Sequence, residues 1–260
     1  MNYYLFRLIE ESSSDEAEDE LERLGLHNIF VIEDGQTGDI LLGGHSKKQL
    51  SLQKMNHSLL VEQKKNASAD WDQQWELFSA DFKEGKAHID LTPFGGAKIL
   101  LLTPGAGFGD LSHPTTYLML EMMQGRMTNE TIIDIGTGSG ILGLAALLLG
   151  AKFAYGVDID KAALEHAKSN AELNCLEKQI AFSKKVPKKL LSQSIFLMNM
   201  IFPEQQEISP SKLNPYAKLW IISGILAEQK EEYLKLANDW GWEIVSEHTQ
   251  GEWMGWVFSV

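Results

Sequence analysis

The segment Asp134-Ile135-Gly136-Thr137-Gly138-Ser139-Gly140 concentrates residues able to hold a ligand. It lies between two apolar runs, 131–135 and 141–149, so a strand enters the turn and a helix leaves it. Glycines let the backbone turn tightly and let a ligand approach where a Cβ would block it. The helix start adds unpaired N–H groups and a positive dipole end, which suit a carboxylate or a phosphate. Asp158 ends the next apolar run, 154–157, where an acid can accept hydrogen bonds from ribose hydroxyls. Asp134, Gly136, Gly138 and Asp158 are therefore candidate contacts for a nucleoside-bearing cofactor.

Three readings of the turn compete. A hydride-transfer enzyme wants Gly-x-Gly-x-x-Gly, but here the spacing is Gly-x-Gly-x-Gly and position 141 is Ile. A tight strand-to-helix turn with no ligand is the plain structural alternative. The third reading is an S-adenosyl-L-methionine site: residues 134–142 and the acid at Asp158 resemble the class I methyltransferase signature.

A second glycine-rich stretch, Gly105-Ala106-Gly107-Phe108-Gly109-Asp110-Leu111-Ser112, runs into His113-Pro114-Thr115-Thr116. That His-Pro-Thr-Thr resembles a motif of the bacterial ribosomal protein L11 methyltransferases, the PrmA family. Gly156-Val157-Asp158-Ile159-Asp160 resembles the family's Gly-Ile-Asp-Ile-Asp, and Asn170-Ala171-Glu172-Leu173-Asn174 its Asn-Ala-x-x-Asn. Ser223-Gly224-Ile225-Leu226 is similar to its late strand end, and Asp70-Trp71-Asp72-Gln73-Gln74-Trp75 to its tryptophan-bearing linker. The resemblance covers roughly residues 70–260; the first 45 match only in their order of strand, acidic helix and strand.

The resemblance implies cofactor contacts at Thr116, Gly136 and Asp158. It also implies an aromatic loop residue, Phe108, that closes over the cofactor. Asn199, in Asn199-Met200-Ile201, takes the place of the family's Asn-Ile-Leu and is implied beside the methyl donor. Three departures stand out. Gly109-Asp110-Leu111-Ser112 loses a loop glycine and gains a charge; 195–198 replace Asp-Leu-Val-Val-Ala; Lys184, Lys185, Lys188 and Lys189 occupy the stretch where an acid often flanks adenine. The lysines read as a solvated loop, with phosphate binding as the alternative.

The implied activity is S-adenosyl-L-methionine-dependent methylation of amino groups, lysine and/or N-terminal, on ribosomal protein L11, a basic ribosomal protein. The alternatives are another protein lysine, a small molecule, or a cofactor-binding module that has lost catalysis. A lysine amine with a pKa of about 10.4 must lose its proton before attack, and Asn199 is the residue placed to orient it. No residue is assigned as general base. His113 reads as a brace at a helix start, with proton shuttling as the alternative. Trp240, Trp242, Trp253 and Trp256 read as core packing, with an aromatic cage for a methylated amine as the alternative.

These residues need elements to hold them. Strands at 131–135, 154–157, 195–198 and 219–223 alternate with helices at 141–149, 161–173 and 227–240, which argues for a parallel sheet covered on both faces. Strands at 88–91 and 98–102 precede this series, and strands at 243–247 and 253–258 close the chain as a hairpin. The expected fold is α/β: a Rossmann-like class I methyltransferase sheet with antiparallel terminal strands, plus a small α+β N-terminal domain. The domains are read as 1–60 (recruiting), 61–87 (linker) and 88–260 (methyltransferase). In the first, a strand at 3–9, a helix capped at 12–15 and running through Glu22, and strands at 29–33 and 39–42 are expected, with an Asp34-Gly35 turn. The acidic run 10–22 reads as a solvated helix face, and alternatively as a surface that recruits a basic partner.

Charge and composition narrow the partners. Lys and Arg total 23 against 36 Asp and Glu, a net charge of −13, so direct nucleic-acid binding is not expected. The single cysteine, Cys175, excludes an intrachain disulfide and a cysteine-based zinc cluster, and no metal is expected. The longest apolar run, 141–151, falls short of the roughly 20 residues a membrane helix needs, so no membrane partner is expected and the location is read as cytoplasmic.

Overall fold

The computed structural model describes residues 2–9, 12–33, 39–46, 48–50, 55–64, 82–105, 113–186, 193–208 and 210–260. The Asp34-Gly35 turn, Trp71 and Trp75, Phe108, the altered loop at 109–112, and Lys188 and Lys189 lie outside them. The chain divides into two compact units, Met1–Asp70 and Trp71–Val260.

The first unit is built from β1 (Asn2–Leu8), α1 (Ser14–Arg23), β2 (His27–Glu33), β3 (Ile40–Ser46) and β4 (Ser58–Lys64). The sheet order is β2-β3-β1-β4, with antiparallel neighbours throughout. Ser13 and Glu16 form a reciprocal cap at the start of α1: each side chain takes a backbone N–H of the other, at 3.3 and 3.1 Å. Gly25, at φ 95°, follows the helix end in a left-handed conformation that costs other residues about 1–2 kcal/mol. Ala17 and Leu21 of the helix are buried with Tyr4, Phe6 and Leu42 of the sheet. Strand β4 begins inside the expected first domain and extends into the residues read as linker. Its sequence, Leu59-Leu60-Val61 followed by Glu62-Gln63-Lys64, lacks the alternation of a half-buried strand, and its partner, β1, is at least fifty residues upstream.

In the second unit, β5 (Phe82–Lys83), β6 (Lys86–Asp90) and β7 (Ile99–Leu102) form a small antiparallel sheet. Then follow α2 (Pro114–Met123), β8 (Thr131–Ile135), α3 (Ile141–Leu148), β9 (Phe153–Val157), α4 (Lys161–Leu173) and β10 (Ile180–Ser183). The chain continues with β11 (Ser194–Asn199), α5 (Phe202–Ile208), β12 (Ala217–Leu226), α6 (Lys230–Asp239), β13 (Glu243–Gln250) and β14 (Trp253–Ser259). The large sheet has the order β10-β9-β8-β11-β12-β14-β13. Every pairing from β10 to β12 is parallel, and β14 runs antiparallel to both its neighbours. The closing hairpin thus differs from a simple edge addition: its second strand inserts beside β12 and its first becomes the edge.

Strands buried on both faces read as continuous apolar runs. Ile132, Leu197 and Ile221 pack to one side with Leu118, Met122 and Leu144, and Ile133, Phe196 and Ile222 pack to the other with Trp220, Trp256 and Phe258. The sequence expectations lacked β10, which ends against Lys184 and Lys185, and α5, only seven residues long. The expected helix at 227–240 begins as a 3-10 turn, Ala227–Gln229, before α6. Among the described residues, no helix is long and apolar enough to cross a membrane. From β8 the chain steps outward to β9 and β10, then returns to β11 and β12 on the other side. In open α/β sheets the crevice outside the strand ends at such a reversal is where ligands bind.

Candidate functional site

At the crevice, Gly136, Gly138 and Gly140 adopt φ values of 70°, 53° and 85°, all left-handed. Residues with a side chain resist this region, so the spacing is a backbone requirement. Gly136 and Thr137 donate backbone N–H bonds to the Val157 carbonyl at 2.8 and 3.0 Å, tying the turn to the end of β9. Gly156 lets that strand approach closely: a Cβ there would stand 2.5 Å from the Phe182 ring and 2.8 Å from Thr137 Oγ1.

Asp134 has a bracing task. Its side chain is 1% exposed, and Oδ2 accepts from Thr137 Oγ1 at 2.6 Å and from the Gly143 N–H at 3.2 Å. Desolvation is the largest influence and raises its pKa from 3.8 to about 6, against the lowering effect of both hydrogen bonds. Asp158 is half-buried at the crevice. Its Oδ2 accepts from the Gly138 N–H at 3.0 Å and its Oδ1 from the Asp160 N–H at 2.9 Å, so the carboxylate is aimed by the turn and by its own strand end.

The helix α2 carries Thr116, fully buried, whose Oγ1 has no hydrogen-bond partner among the described residues. A buried hydroxyl without a partner costs on the order of 1–3 kcal/mol, and a ligand atom would relieve that cost. His113 caps this helix: Nδ1 accepts from the Thr115 N–H at 3.3 Å and lies 2.8 Å from Thr115 Oγ1, while its ring meets Trp253 edge-on at 5.0 Å. Burial pushes its pKa down, which favours the neutral acceptor form. These contacts support the brace reading of His113.

The segment leading toward α2 is clamped to α4. Asn170 is fully buried; its Oδ1 accepts from Thr103 N and Oγ1 at 3.0 and 2.9 Å, and its Nδ2 donates to the Ser139 carbonyl at 2.9 Å. Asn174 makes the matching pair to Leu101, accepting from its N–H at 2.9 Å and donating to its carbonyl at 2.7 Å. His166 Nε2 donates to the Thr103 carbonyl at 2.7 Å, and Gly105 passes so close that a Cβ would stand 2.5 Å from that ring. The two asparagines of 170–174 thus join the glycine turn to the strand that precedes the second glycine-rich stretch.

Across the crevice, Asn199 ends β11 opposite Ser223 of β12 and is half-buried. Met200 follows it and lies against the glycine turn: a Cβ on Gly136 would stand 2.5 Å from its Sδ. Burial raises the pKa of Glu204, on α5, and the Asp158 and Glu207 charges raise it further, so α5 borders the same region.

The structure therefore brings Gly136, Gly138, Asp158 and Asn199 to one edge of the sheet. Asp134 stands behind the turn, Thr116 is on the neighbouring helix α2, and Phe108 is outside the described residues. Lys184 and Lys185 are exposed. The tryptophans form no open cage among the described residues. Trp220 and Trp242 direct their indole N–H groups to Asn214 Oδ1 at 3.2 and 2.9 Å, and Trp242 and Trp256 are buried in core packing. Sequence reasoning missed His166, Gln205 and Tyr233, each of which bonds a partner far along the chain.

A ribosomal protein L11 methyltransferase of Shewanella pealeana is 36% identical over 196 residues, covering 71% of this chain and 66% of its own length. One from Thermoanaerobacter pseudethanolicus is 32% identical over 71% of this chain and 63% of its own length. One from Pseudomonas fluorescens is 33% identical over 85% of this chain and 80% of its own length. The chain thus spans just under two thirds of the length of the first two relatives. The crystal structure of the ribosomal protein L11 methylase from Lactobacillus delbrueckii subsp. bulgaricus superimposes with a TM-score of 0.54 at 29% identity, over 61% of this chain and 83% of that one. The fold is accordingly the class I methyltransferase α/β fold. The sequence model of the ribosomal protein L11 methyltransferase (PrmA) family matches residues 41–259, and the chain belongs to that family.

Proposed function

We propose that this chain transfers methyl groups from S-adenosyl-L-methionine to amino groups of ribosomal protein L11, lysine side chains or the N-terminal amine, in the cytoplasm. The observation that carries the reading is the aimed carboxylate of Asp158 beside a turn of left-handed glycines, at the point where the strand order reverses. The residues present fit the cofactor: Asp158 offers acceptors for ribose hydroxyls, the turn beside it is built on left-handed glycines, and Thr116 has a hydroxyl in need of a partner. When bound, the cofactor supplies an electrophilic methyl carbon on a sulfonium sulfur.

The protein's contribution is alignment, because in-line displacement depends on holding two reactants close and collinear. Asn199 presents an amide from the strand end beside the turn, where its oxygen can accept a hydrogen bond from an incoming amine. The amine must arrive unprotonated, and burial of the amine on docking would favour that form. The first unit is read as the recruiting domain. Asp15, Glu18 and Glu22 of α1 make no ion pair among the described residues and suit a basic protein.

Calorimetric titration with S-adenosyl-L-methionine tests the site. Asp158→Ala removes the acceptors of charged hydrogen bonds and should weaken binding by about 100-fold. Methyl transfer from labelled cofactor to purified ribosomal protein L11 tests the acceptor. Equal cofactor affinity in the two proteins refutes the assignment of Asp158, and tight cofactor binding without transfer to the ribosomal protein refutes the substrate.

A further inference from the structure

We propose that Gln205 and Tyr233 are positioning residues that fix the Asn199–Met200 corner against the glycine turn; the proposal rests on the transferase reading for its kinetic consequence. Gln205, on α5, is fully buried. Its Nε2 donates to two backbone carbonyls, Met200 at 2.5 Å and Ser223 at 2.9 Å. Its Oε1 accepts from the Tyr233 hydroxyl at 2.6 Å. A primary amide is costly to bury unless it is bonded, and here both ends are used.

The two carbonyls mark the place where β11 and β12 part. Their register ends with Asn199 opposite Ser223. Beyond that pair, Met200 turns toward α5 and Gly224 takes φ 92°, so close that a Cβ on it would stand 2.2 Å from the Met200 oxygen. Strand pairing can no longer hold these carbonyls, and the Gln205 amide bridges them instead. Ser223 is tied on its other side through Oγ, which donates to the Met254 carbonyl at 2.9 Å.

Tyr233 decides which way the amide faces. Burial pushes its pKa well up, so the phenol stays a neutral donor. Its ring is held by Trp256, stacked at 5.4 Å, and by Phe202, edge-on at 5.4 Å. A fixed donor at Oε1 keeps the amide nitrogen turned toward the two carbonyls; the flipped amide would set oxygen against oxygen. Met200 passes the constraint outward, since its backbone is held by Gln205 and its side chain lies against Gly136. Asn199, the last residue of β11, adjoins this clamp, with a side-chain amide that makes no hydrogen bond among the described residues.

A residue that only stabilises the fold would alter thermal stability without separating kcat from ligand affinity. A positioning residue should lower kcat and leave cofactor binding in place, because misalignment of a reacting pair is expensive. Two variants test this. Tyr233→Phe removes one oxygen and keeps the ring packing, and Gln205→Leu removes the clamp at similar volume. We expect kcat on ribosomal protein L11 to fall about 5-fold and about 30-fold respectively, with the dissociation constant for S-adenosyl-L-methionine changed by less than about 2-fold. The Met200 methyl resonance, assigned by Met200→Leu, reads the same constraint without turnover, and it should shift and broaden in both variants. Wild-type kcat in both, or a loss of cofactor affinity equal to the loss of kcat, overturns the proposal. If the wild-type protein transfers no methyl group, the transferase reading fails by itself. An unmoved Met200 resonance then overturns the positioning role, and a shifted one sustains it.

Discussion

The two walls of the crevice are held by different chemistry. On the β8–β9 side the surface is backbone, three glycines with positive φ, and the support is a buried carboxylate behind them. On the β11–β12 side the surface carries side chains, Asn199 and Met200, and the support is a neutral amide and a phenol. A wall that a ligand must lie against has to be stripped of Cβ atoms, so it can be pinned only from behind. The opposite wall can be pinned from within. One consequence is that titration acts directly on the first wall, through Asp134, whereas the clamp of the second contains no group that ionises near neutrality.

The largest expected effect separates the walls by how each meets a new methyl group. Gly224→Ala places a Cβ 2.2 Å from the Met200 backbone oxygen at φ 92°, where neither partner can rotate away. Left-handed strain of about 1–2 kcal/mol adds to an overpacking cost of about 1–3 kcal/mol. The melting temperature should fall by roughly 10 °C. Gly136→Ala meets only the Met200 thioether, at 2.5 Å from Sδ. A flexible side chain can yield, so its stability loss should be about half as large, with the greater loss in cofactor affinity. Calorimetric melting of both variants checks the order, and a reversed order would mean that the Met200 thioether yields less readily than its backbone.

A second test uses pH. The carboxyl of Asp134 titrates at about 6 in the folded protein, against an ordinary value of 3.8. The folded state therefore holds this proton more tightly than the unfolded chain does. By linkage, the contribution of Asp134 to stability is most favourable below about pH 4 and declines as pH rises to about 6, then stays level. Asparagine at this position could still accept from Thr137 and Gly143 without ionising. Asp134→Asn should accordingly gain on the wild type by roughly 2 kcal/mol between pH 4 and pH 7. Urea unfolding of both proteins at the two pH values measures the gain. A difference independent of pH would mean that the turn is not braced at the expense of a buried charge.

What sequence alone could show follows the same division. A glycine forced to positive φ is recognisable from residue type, so Gly136, Gly138 and Gly140 were legible, as was a helix cap within 12–15, though not the return bond from Glu16. The paired asparagines Asn170 and Asn174 were visible as a motif, but their clamp onto Leu101 and Thr103 was not, since it spans about seventy residues. Gln205 gave no local signal. It lies in a helix of seven residues that begins Phe-Pro, and its partners are Met200 just past β11, Ser223 of β12 and Tyr233 of α6. Strand β4 was hidden similarly, because a strand without alternating apolar residues is defined by the neighbour it pairs with. Backbone necessity can be read from the residue type, whereas a side-chain network exists only after the chain has folded.

The smallest expected effect concerns the acidic helix α1, where recruitment must be separated from folding. Its acids are not equivalent. Glu16 completes the helix cap, Asp19 pairs with Arg23 at 3.7 Å, and Glu20 accepts from the Asn56 and His57 N–H groups at 2.7 and 3.1 Å. Replacing those would disturb the unit itself. Asp15, Glu18 and Glu22 remain, and their mutual repulsion, after burial, raises the pKa of Glu18. An acidic face that repels itself is better satisfied by an opposite charge, which is what a basic protein brings. The triple variant Asp15→Asn, Glu18→Gln and Glu22→Gln removes these charges and keeps side-chain size. Exposed ion pairs are worth about 0.2–1 kcal/mol each. The KM for ribosomal protein L11 should therefore rise by roughly 3- to 10-fold at low salt, less at high salt, with cofactor affinity and melting temperature unchanged. An unchanged KM would confine function to the second unit and leave the acids of α1 as a solvated face.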